Sequence, residues 1–525
     1  MDHRVGLVRL LTQIVAARTN VAGGTTLAHW RGMGIGRMWR HVRNEGRPHN
    51  LLAISDLHLG CDLKAGVKAQ RGSSFDSQLA EFLDFHALNQ RDGKPWRLLL
   101  NGDIVDFVAI TVTPGSEATF EVSEEERQFG LAAEEAKCVW KLRKTIERHG
   151  AVFDALARFL QKGNCLHIIR GNHDAEFHWP AVQAALKAHL ADRAGLEGPP
   201  RRRFERRIEF HPWFYLEPGF FYAEHGNAHD HYSLQSDFFD AAGVQAKREI
   251  DLPLSSKVLR YFANKYTEQT DLDECDTWGV VEYIDWVLKA GNPLRVAADY
   301  FVMVFRVTYP ILVQWLKVWR RFARAADEAI EKVDDGEAAH VRKLLGRASR
   351  NEAEVKKLLA IVSRPAEQSL FDSMQLFYLD RMLLALVCLF GSWAAIAAAH
   401  GAVAKIATAV VGGIIFAGLN AVLGRQRRTD AHPMLQQAAL RIVQLLDVRY
   451  VVMGHSHRPV DVQVGRGQYL NLGSWLNARE GFPHVMVADG VAELRYWKNG
   501  GSVKRELLPA REQQAAPQPG LAVQI

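Results

Sequence analysis

Short apolar runs recur along this chain, and a polar cluster follows each of them. They are Leu51–Ser55, Arg97–Leu100, Leu166–Arg170, Gly219–Glu224 and, much later, Tyr450–Met453. Runs of this length that are bounded by glycine and polar residues are typical of buried strands. Three later runs are also predicted to be strands: Tyr469–Leu472, His484–Ala488 and Val491–Trp497.

Helical patterns separate the early strands. Ser123 and Glu126 form a capping box, and Gly150 is expected to end the helix that begins there. Strands that alternate with helices predict an α/β fold, in which ligands bind at the carboxyl ends of the strands. The five polar clusters occupy that position in the sequence.

The chain before the last of these clusters has a different pattern. Residues 233–380 are mostly helical, and Asp327–Glu354 is charged on nearly every turn, as a solvated helical hairpin would be. Met382–Ala399 and Ile406–Gly424 are runs of 18 and 19 residues without a charge. As a helix, each is about 27 Å long, close to the hydrocarbon thickness of a bilayer. They predict a membrane-embedded hairpin; the alternative is a pair of helices buried in the soluble protein or in a dimer interface.

Small residues in these two runs would let the helices pack closely, and they include Gly412, Gly413 and Gly418.

The patterns together predict six segments. They are a basic N-terminal extension (1–50), the first part of the core (51–232), a helical insertion (233–380), the apolar helical hairpin (381–425), the second part of the core (426–508) and a disordered tail (509–525).

Composition and charge limit the classes of protein. The chain is 48% hydrophobic and 24% charged, which excludes a wholly disordered protein and a polytopic transporter. The five cysteines include no C-x-x-C pair, so neither a disulfide framework nor a cysteine-based zinc site is expected. The net charge of +6 is small for 525 residues and does not indicate a dedicated DNA-binding protein.

The N-terminal extension is more basic than the rest. Residues 1–50 carry eight arginines against Asp2 and Glu45. Arg9 and Arg18 interrupt its apolar run, which disfavours a cleavable signal peptide. We expect either a segment that touches a membrane surface or a partly ordered extension.

The five polar clusters hold the side chains from which a two-metal centre can be built. Carboxylate oxygens and imidazoles are ligands for divalent metals, and a shared carboxylate can bridge two ions. Asp56 and His58 lie two residues apart at one strand end, and Asp103 follows the next strand. The remaining candidates follow three other strands: Asn172, His225, His455 and His457.

In chain order, the clusters read D-x-H, G-D-x-x-D, G-N-H-D, H-G and G-H-x-H. This ordered set resembles the calcineurin-like metallophosphoesterase superfamily over about residues 50–232 and 440–500. The resemblance implies a metallophosphoesterase β-sandwich flanked by helices, here with a large helical insertion. It also implies two divalent metal ions, with Mn²⁺ expected first and Fe or Zn as alternatives.

The resemblance assigns a role to each candidate residue. The first ion would be held by Asp56, His58, Asp103 and His457, and the second by Asp103, Asn172, His225 and His455. A hydroxide that bridges the ions would be the nucleophile. His173 would stabilise the phosphate charge and protonate the leaving oxygen, and Asp106 would orient its imidazole and hold it protonated. The alternative for Asp106 is a loop-capping carboxylate, and Asp174 is expected to support the site without acting in catalysis.

Departures from the superfamily's motifs narrow the substrate. Its phosphoprotein phosphatases continue G-D-x-x-D with Arg-Gly and end the third motif with Glu, where this chain has Phe107 and Asp174. A protein substrate is therefore disfavoured. Ser-Asp-Leu-His-Leu (55–59) and Gly-His-Ser-His-Arg-Pro (454–459) resemble the UDP-2,3-diacylglucosamine pyrophosphatases of lipid A synthesis. That resemblance is partial, because the branch usually has arginine in place of His173 and lacks a long apolar hairpin.

Two further groups have open interpretations. The basic run 201–207 is expected to form a solvated loop before the strand that leads to His225, or to attract an anionic substrate or lipid headgroups. His229, Asp230 and His231 either line the substrate pocket or form a turn.

We therefore expect a metal-dependent phosphoesterase that hydrolyses a phosphoester or pyrophosphate bond of a phosphorylated small molecule or lipid at a membrane. Arg381 precedes the apolar runs and Arg425, Arg427 and Arg428 follow them, which predicts the cytoplasmic side of the inner (plasma) membrane. Without a spanning hairpin, a cytoplasmic protein is expected. The alternatives are a lipid-linked UDP-sugar pyrophosphatase, a nuclease, and a membrane-anchored scaffold without activity. Because no concentrated basic groove accompanies the motifs, no nucleic-acid partner is expected.

Overall fold

Twelve strands among the described residues form two mixed sheets in this computed structural model. The structure describes residues 49–65, 73–116, 118–236, 238, 248–266, 280–289, 292–322, 352–426, 430–476 and 481–504. The strands are β1 (Asn50–Ile54), β2 (Trp96–Asn101), β3 (Cys165–Ile169), β4 (Ile208–His211), β5 (Phe214–Glu217), β6 (Phe221–Glu224), β7 (Tyr450–Met453), β8 (Pro459–Val464), β9 (Gly467–Leu472), β10 (Phe482–Ala488), β11 (Val491–Lys498) and β12 (Gly501–Lys504).

The two sheets bring strands from both ends of the chain together. The first has the order β12-β11-β10-β1-β2-β3-β4, in which β1 to β4 are parallel and β10 is antiparallel to β1. The second has the order β5-β6-β7-β9-β8, in which β6, β7 and β9 are parallel. Leu99 and Ile169 of the first sheet share one buried cluster with Val452 and Leu470 of the second. The sheets therefore face each other across this cluster.

Fourteen helices lie in the described part of the chain. They are α1 (Ser73–Leu88), α2 (Glu124–Phe129), α3 (Glu135–Arg148), α4 (Gly150–Gln161), α5 (Pro180–Arg193), α6 (Gly198–Glu205), α7 (Leu254–Tyr261), α8 (Val280–Lys289), α9 (Pro293–Phe322), α10 (Glu352–Leu359), α11 (Leu370–Leu376), α12 (Leu379–Ala398), α13 (Ala402–Gln426) and α14 (Ala431–Leu446). Apolar residues of α1, α3, α4 and α5 pack on the first sheet, and those of α14 pack on the second. The predicted mixed α/β class is confirmed.

One prediction about the helices before β3 is wrong. The capping box is present, with Ser123 Oγ accepting from the Glu126 N–H at 3.2 Å. The helix that it starts ends at Phe129, however, and Gly150 begins α4 instead of ending a helix. The break lies at His149, whose ring bonds to a carboxylate of α1 and to a backbone N–H of the loop after β1. These bonds hold residue 149 outside the helical backbone.

The expectation that the basic run 201–207 is a loop is also wrong. Its first arginines lie in α6, where Arg201 bonds to Glu205 at 2.8 Å and to Asp192 at 2.5 Å. These two carboxylates offset its charge. In addition, β4 and β5 lie between this run and β6, so the run does not lead directly to His225.

Three helices are long and apolar enough to cross a membrane by length and composition. They contain Pro293–Lys317 in α9, Leu379–Ala398 in α12 and Ala402–Gly424 in α13. No residue is buried across the apolar windows of α12 and α13. In α9, by contrast, one side is buried in a cluster with residues of α7 and with Phe377.

The helices α12 and α13 are joined by residues 399–401 and pack against each other. A Cβ on Gly412 would overlap Ser392, so this glycine permits a close approach of the two helices. Gly413 and Gly418 face open space instead. Of these three predicted contact glycines, the structure therefore places one at the contact.

Several predicted segments fall wholly or partly outside the described residues. They are the N-terminal extension apart from His49 and Asn50, the charged stretch 327–354 apart from residues 352–354, and the tail 509–525. Within residues 233–380, the regular elements that the structure describes are all helices.

Candidate metal centre

The polar clusters meet at one place because of the strand arrangement. Parallel neighbours β1, β2 and β3 end at the same edge of the first sheet, and β6 and β7 end together in the second. The loops after these five strands carry all seven predicted ligands, which are Asp56, His58, Asp103, Asn172, His225, His455 and His457. The structure thus brings together residues that lie up to 401 positions apart, while the roles assigned to them stay predictions.

The first group contains Asp56, His58 and His457, whose candidate ligand atoms all lie within 4.8 Å of one another. His457 Nε2 lies 3.1 Å from Asp56 Oδ1 and 3.4 Å from His58 Nε2. Asp103 Oδ2 lies 3.9 Å from His58 Nε2. These are the four residues predicted to hold the first ion.

The second group contains Asp103, His225 and His455, again within 4.8 Å of one another. His225 Nε2 lies 3.1 Å from Asp103 Oδ2 and 3.2 Å from Asn172 Oδ1. The same Asp103 oxygen therefore faces a histidine of each group. A carboxylate in that position can be shared by two ions.

Most of these ligands have an unusual backbone conformation. Among the described residues other than glycine, eleven have a positive φ, and five of those are Asp56, His58, Asp103, His455 and His457. Such conformations cost of order 1–3 kcal/mol each and cluster at functional sites, where the surrounding structure enforces them. Here the enforcing contacts include His58 N–H to Asp103 O at 2.9 Å and His455 N–H to Asp56 Oδ2 at 3.2 Å.

Hydrogen bonds determine which ring nitrogen each histidine presents. His58 Nδ1 lies 3.0 Å from Asp106 Oδ2, and His225 Nδ1 lies 3.0 Å from Asn101 O. Both rings therefore turn Nε2 towards the centre. His455 is reversed, because its Nε2 bonds to Asp230 at 3.0 Å. Bonds of this kind orient metal-binding histidines and fix their tautomers.

The sequence left Asp230 as either a pocket-lining residue or a turn residue, and it did not predict that Asp230 bonds to His455. Its carboxylate is buried, and the bond from His455 outweighs the effect of burial and lowers its pKa. Its neighbour His229 is buried and bonds to Glu224 at 2.6 Å. Both residues belong to the turn that comes directly after β6. The signal in the sequence is only an aspartate five residues after His225, and spacing cannot reveal a partner 225 residues away.

Asp106 connects two histidines. Its Oδ1 lies 3.0 Å from His173 Nδ1, and its Oδ2 lies 3.0 Å from His58 Nδ1. Burial alone would lower the pKa of His173, but the charges of Asp106 and Asp103 outweigh it and raise that pKa to about 9. With Nδ1 bonded to Asp106, Nε2 is the nitrogen of His173 that is left to donate a proton.

Asp174 supports the loop that carries Asn172 and His173. It accepts hydrogen bonds from Ile104 N–H at 2.8 Å and from Gly171 N–H at 2.6 Å. Burial and the Asp103 charge raise its pKa to about 7. Gly171 is required because a Cβ there would overlap the Asp103 carboxylate. Both residues hold the loop after β3 close to Asp103.

The donor set fits divalent metal ions. Asp56 Oδ1 is buried, and no correctly oriented hydrogen-bond donor reaches it among the described residues, although His457 Nε2 is close. The donor–donor separations of 3.1–3.9 Å quoted above suit ligands that surround an ion at about 2.0–2.2 Å. No model of a protein family matches this chain, and no curated protein matches it.

Proposed function

We propose that this protein is a metal-dependent phosphoesterase, a hydrolase that cleaves a phosphoester or pyrophosphate bond. The observation that carries the proposal is the position of Asp103 Oδ2, 3.1 Å from His225 Nε2 and 3.9 Å from His58 Nε2. One carboxylate between two groups of ligands supports a two-metal site, and such sites are typical of enzymes that transfer phosphoryl groups.

The centre would hold two divalent ions. Asp56, His58, Asp103 and His457 would bind one, and Asp103, Asn172, His225 and His455 the other. When bound, such ions lower the pKa of coordinated water to about 7 and offset the charge of the phosphate. Mixed oxygen and imidazole donors suit Mn²⁺, Fe²⁺ or Zn²⁺ better than Mg²⁺ or Ca²⁺, which prefer oxygen alone.

His173 would act as the general acid. Its Nδ1 is held by Asp106, which keeps the ring protonated and leaves Nε2 to protonate the leaving oxygen. Because the backbone N–H of His173 also donates to Asp103 Oδ1 at 2.8 Å, the acid is fixed relative to the shared carboxylate. A positioned acid of this kind contributes about 10²–10⁴-fold to the rate.

The proposed location is the cytoplasmic face of a membrane, where a phosphorylated lipid or small molecule would be hydrolysed. Exposed apolar side chains on α12 and α13, including Leu386, Phe390 and Ile414, support a lipid-facing hairpin. Both ends of such a hairpin lie on one side, which the centre requires because His455 and His457 follow it in the chain. One side of α9 is packed against α7 and α11, so we do not propose that α9 spans the bilayer.

Asp103→Asn tests the shared carboxylate. The full-length protein in detergent would be assayed on bis-p-nitrophenyl phosphate with added Mn²⁺, and bound metal would be counted by plasma mass spectrometry. We expect loss of turnover and weaker binding of both ions, because the amide carries no charge. The matched control is Asp489→Asn, which changes an exposed turn aspartate. Full metal occupancy with activity like the wild type would contradict the two-metal assignment.

A further inference from the structure

A second cluster of metal-ligand side chains lies on the edge strand β4 and the adjacent β3. It consists of His167, Glu209 and His211, whose candidate ligand atoms all lie within 4.8 Å of one another. None of the three belongs to the centre described above.

The strand register explains why these side chains meet. His167 on β3 is paired with Glu209 on β4, and His211 lies two residues further along β4, on the same face. His167 Nδ1 lies 2.9 Å from His211 Nε2 and 3.7 Å from Glu209 Oε2. The two imidazole rings stack at 27° with their centroids 5.1 Å apart.

The cluster is closed on one side and open on the other. The His167 side chain is 3% exposed, whereas that of Glu209 is 58% exposed. Since β4 is at the edge of its sheet, no further strand covers the carboxylate among the described residues. An ion from solution can reach the cluster by this route.

The positive charge of Arg97 near the cluster is offset by a carboxylate, that of Glu217. The charge of Arg97 on β2 acts on both histidines, and Arg97 lies 3.9 Å from Glu217 and donates to Tyr215 Oη at 2.5 Å. Glu217 therefore offsets the Arg97 charge, and it also bonds to His49 at 2.8 Å. Burial and the Arg97 charge lower the pKa of His211 to about 4.

We propose that His167, Glu209 and His211 form a separate binding site for one divalent transition-metal ion of the Zn²⁺ class. Two imidazole nitrogens and one carboxylate oxygen form a common Zn²⁺ donor set, and the exposed side leaves a position for water. Mg²⁺ and Ca²⁺ are disfavoured because they select oxygen ligands. The alternative is that the cluster is only a hydrogen bond between the two imidazoles. That bond does not need Glu209, whose one ion pair among the described residues is with His167.

An ion at this position would connect β4 to β3. The edge strand leads directly into β5 of the second sheet, so the site would stabilise the junction between the two sheets. An ion that binds only the folded state raises the melting temperature in proportion to the logarithm of its concentration.

Zn²⁺ binding tests the site in an Asp103→Asn background, in which the other centre is weakened. The full-length protein in detergent would be stripped with chelator and titrated with Zn²⁺ by calorimetry, with the melting temperature as a second readout. We expect one equivalent of Zn²⁺ and a rise of several degrees. Adding Glu209→Gln or His211→Gln should weaken this binding by at least about tenfold and remove the rise. Because Glu209→Gln changes an exposed side chain, we expect this variant to fold like the parent.

The matched controls are Glu147→Gln, which changes an exposed glutamate, and His189→Gln, which changes a histidine outside both clusters. Both should bind Zn²⁺ as the Asp103→Asn parent does. The proposal is overturned if Glu209→Gln and His211→Gln bind the same number of Zn²⁺ ions, with the same affinity, as the parent. It is equally overturned if the wild type binds two Zn²⁺ ions and the parent binds none, because both ions would then belong to the centre that contains Asp103. Neither result depends on phosphoesterase activity, so failure here leaves the proposed function untouched.

Discussion

The carboxylate of Asp106 bonds to two histidines with different predicted roles. His58 is a predicted ligand of the first ion, and His173 is the predicted acid. One side chain therefore orients both a predicted metal ligand and the predicted proton donor. The sequence predicted the link to His173 through the superfamily resemblance, but the link to His58 follows only from the three-dimensional positions.

His173→Ala and Asp106→Asn should consequently differ. The first is expected to keep its metals and lose about 10²–10⁴-fold in turnover, with a smaller loss on substrates that have good leaving groups. The second is expected to lose turnover and also bind the first ion less tightly, because His58 loses its orienting partner. Turnover on nitrophenyl and alkyl phosphoesters, together with metal content, measures both effects.

His189→Ala is the control for these variants, because it removes a histidine that belongs to neither cluster. An equal loss on good and poor leaving groups would assign His173 to charge stabilisation instead of proton donation. Unchanged metal affinity in Asp106→Asn would show that the bond to His58 does not matter for the ion.

Asp230 allows a test of the reversed orientation of His455. Asp230→Ala removes the bond to His455 Nε2, so the ring is no longer held with Nδ1 towards the centre. We expect the second ion to bind about 10–100-fold less tightly, with a smaller effect in Asp230→Asn. Equilibrium dialysis against Mn²⁺ measures this. Asp461→Ala, at an exposed position of β8, should bind Mn²⁺ like the wild type.

The sequence predicted the strands that carry ligands to within about two residues. Tyr450–Met453 has the predicted bounds, and the predicted Leu51–Ser55 is Asn50–Ile54 in the structure. Buried central strands can be recognised in the sequence because nearly every residue in them is apolar. The strand β4 was not predicted, because its half-exposed residues include Glu209 and His211 and lack that pattern.

At the level of elements, the turn between α2 and α3 depends on a buried ion pair. Glu126 Oε1 lies 2.7 Å from Lys137 Nζ and accepts from the Ala132 N–H at 2.9 Å. These bonds outweigh the effect of burial and lower the pKa of Glu126 to about 2, from an ordinary value of 4.5. The ionised carboxylate therefore stabilises the fold above pH 4.5, and this contribution is lost as the pH falls towards 2.

Glu126→Gln is expected to lower stability by about 1–3 kcal/mol at pH 7, because it replaces charge-assisted hydrogen bonds in a buried position. The difference from the wild type should shrink between pH 4.5 and pH 2. Thermal melting at several pH values measures both. Glu124→Gln changes a glutamate whose side chain is 95% exposed and should leave the melting temperature unchanged. A constant difference at all pH values would contradict the role of ionisation.

The architecture of the whole molecule goes beyond what patterns in the sequence can give. β10 pairs with β1 and β7 pairs with β6, so strands from after the apolar helices complete both sheets. The order of motifs predicted that the two halves meet in one site. It could not give the strand order, because pairing between distant segments depends on packing of the complete core.

The membrane proposal is tested on the whole chain. We expect the protein to stay with membranes during alkaline carbonate washing, because the apolar side chains of α12 and α13 would otherwise contact water. Replacement of residues 382–424 by a short flexible linker should give a more soluble phosphoesterase, since the centre contains no residue from that range. Complete release of the intact protein by carbonate would contradict a spanning hairpin.

A ribosome synthesises the ligands from Asp56 to His225 long before it reaches His455 and His457. At that stage β6 has no parallel neighbour, and the emerging chain holds only part of each group of ligands. The apolar helices leave the ribosome next, and β7 with the last two histidines follows them. Under the proposed function, a nascent chain is therefore inert until its membrane segment has been made. The order of translation itself would keep an active hydrolase from being released before it can be anchored.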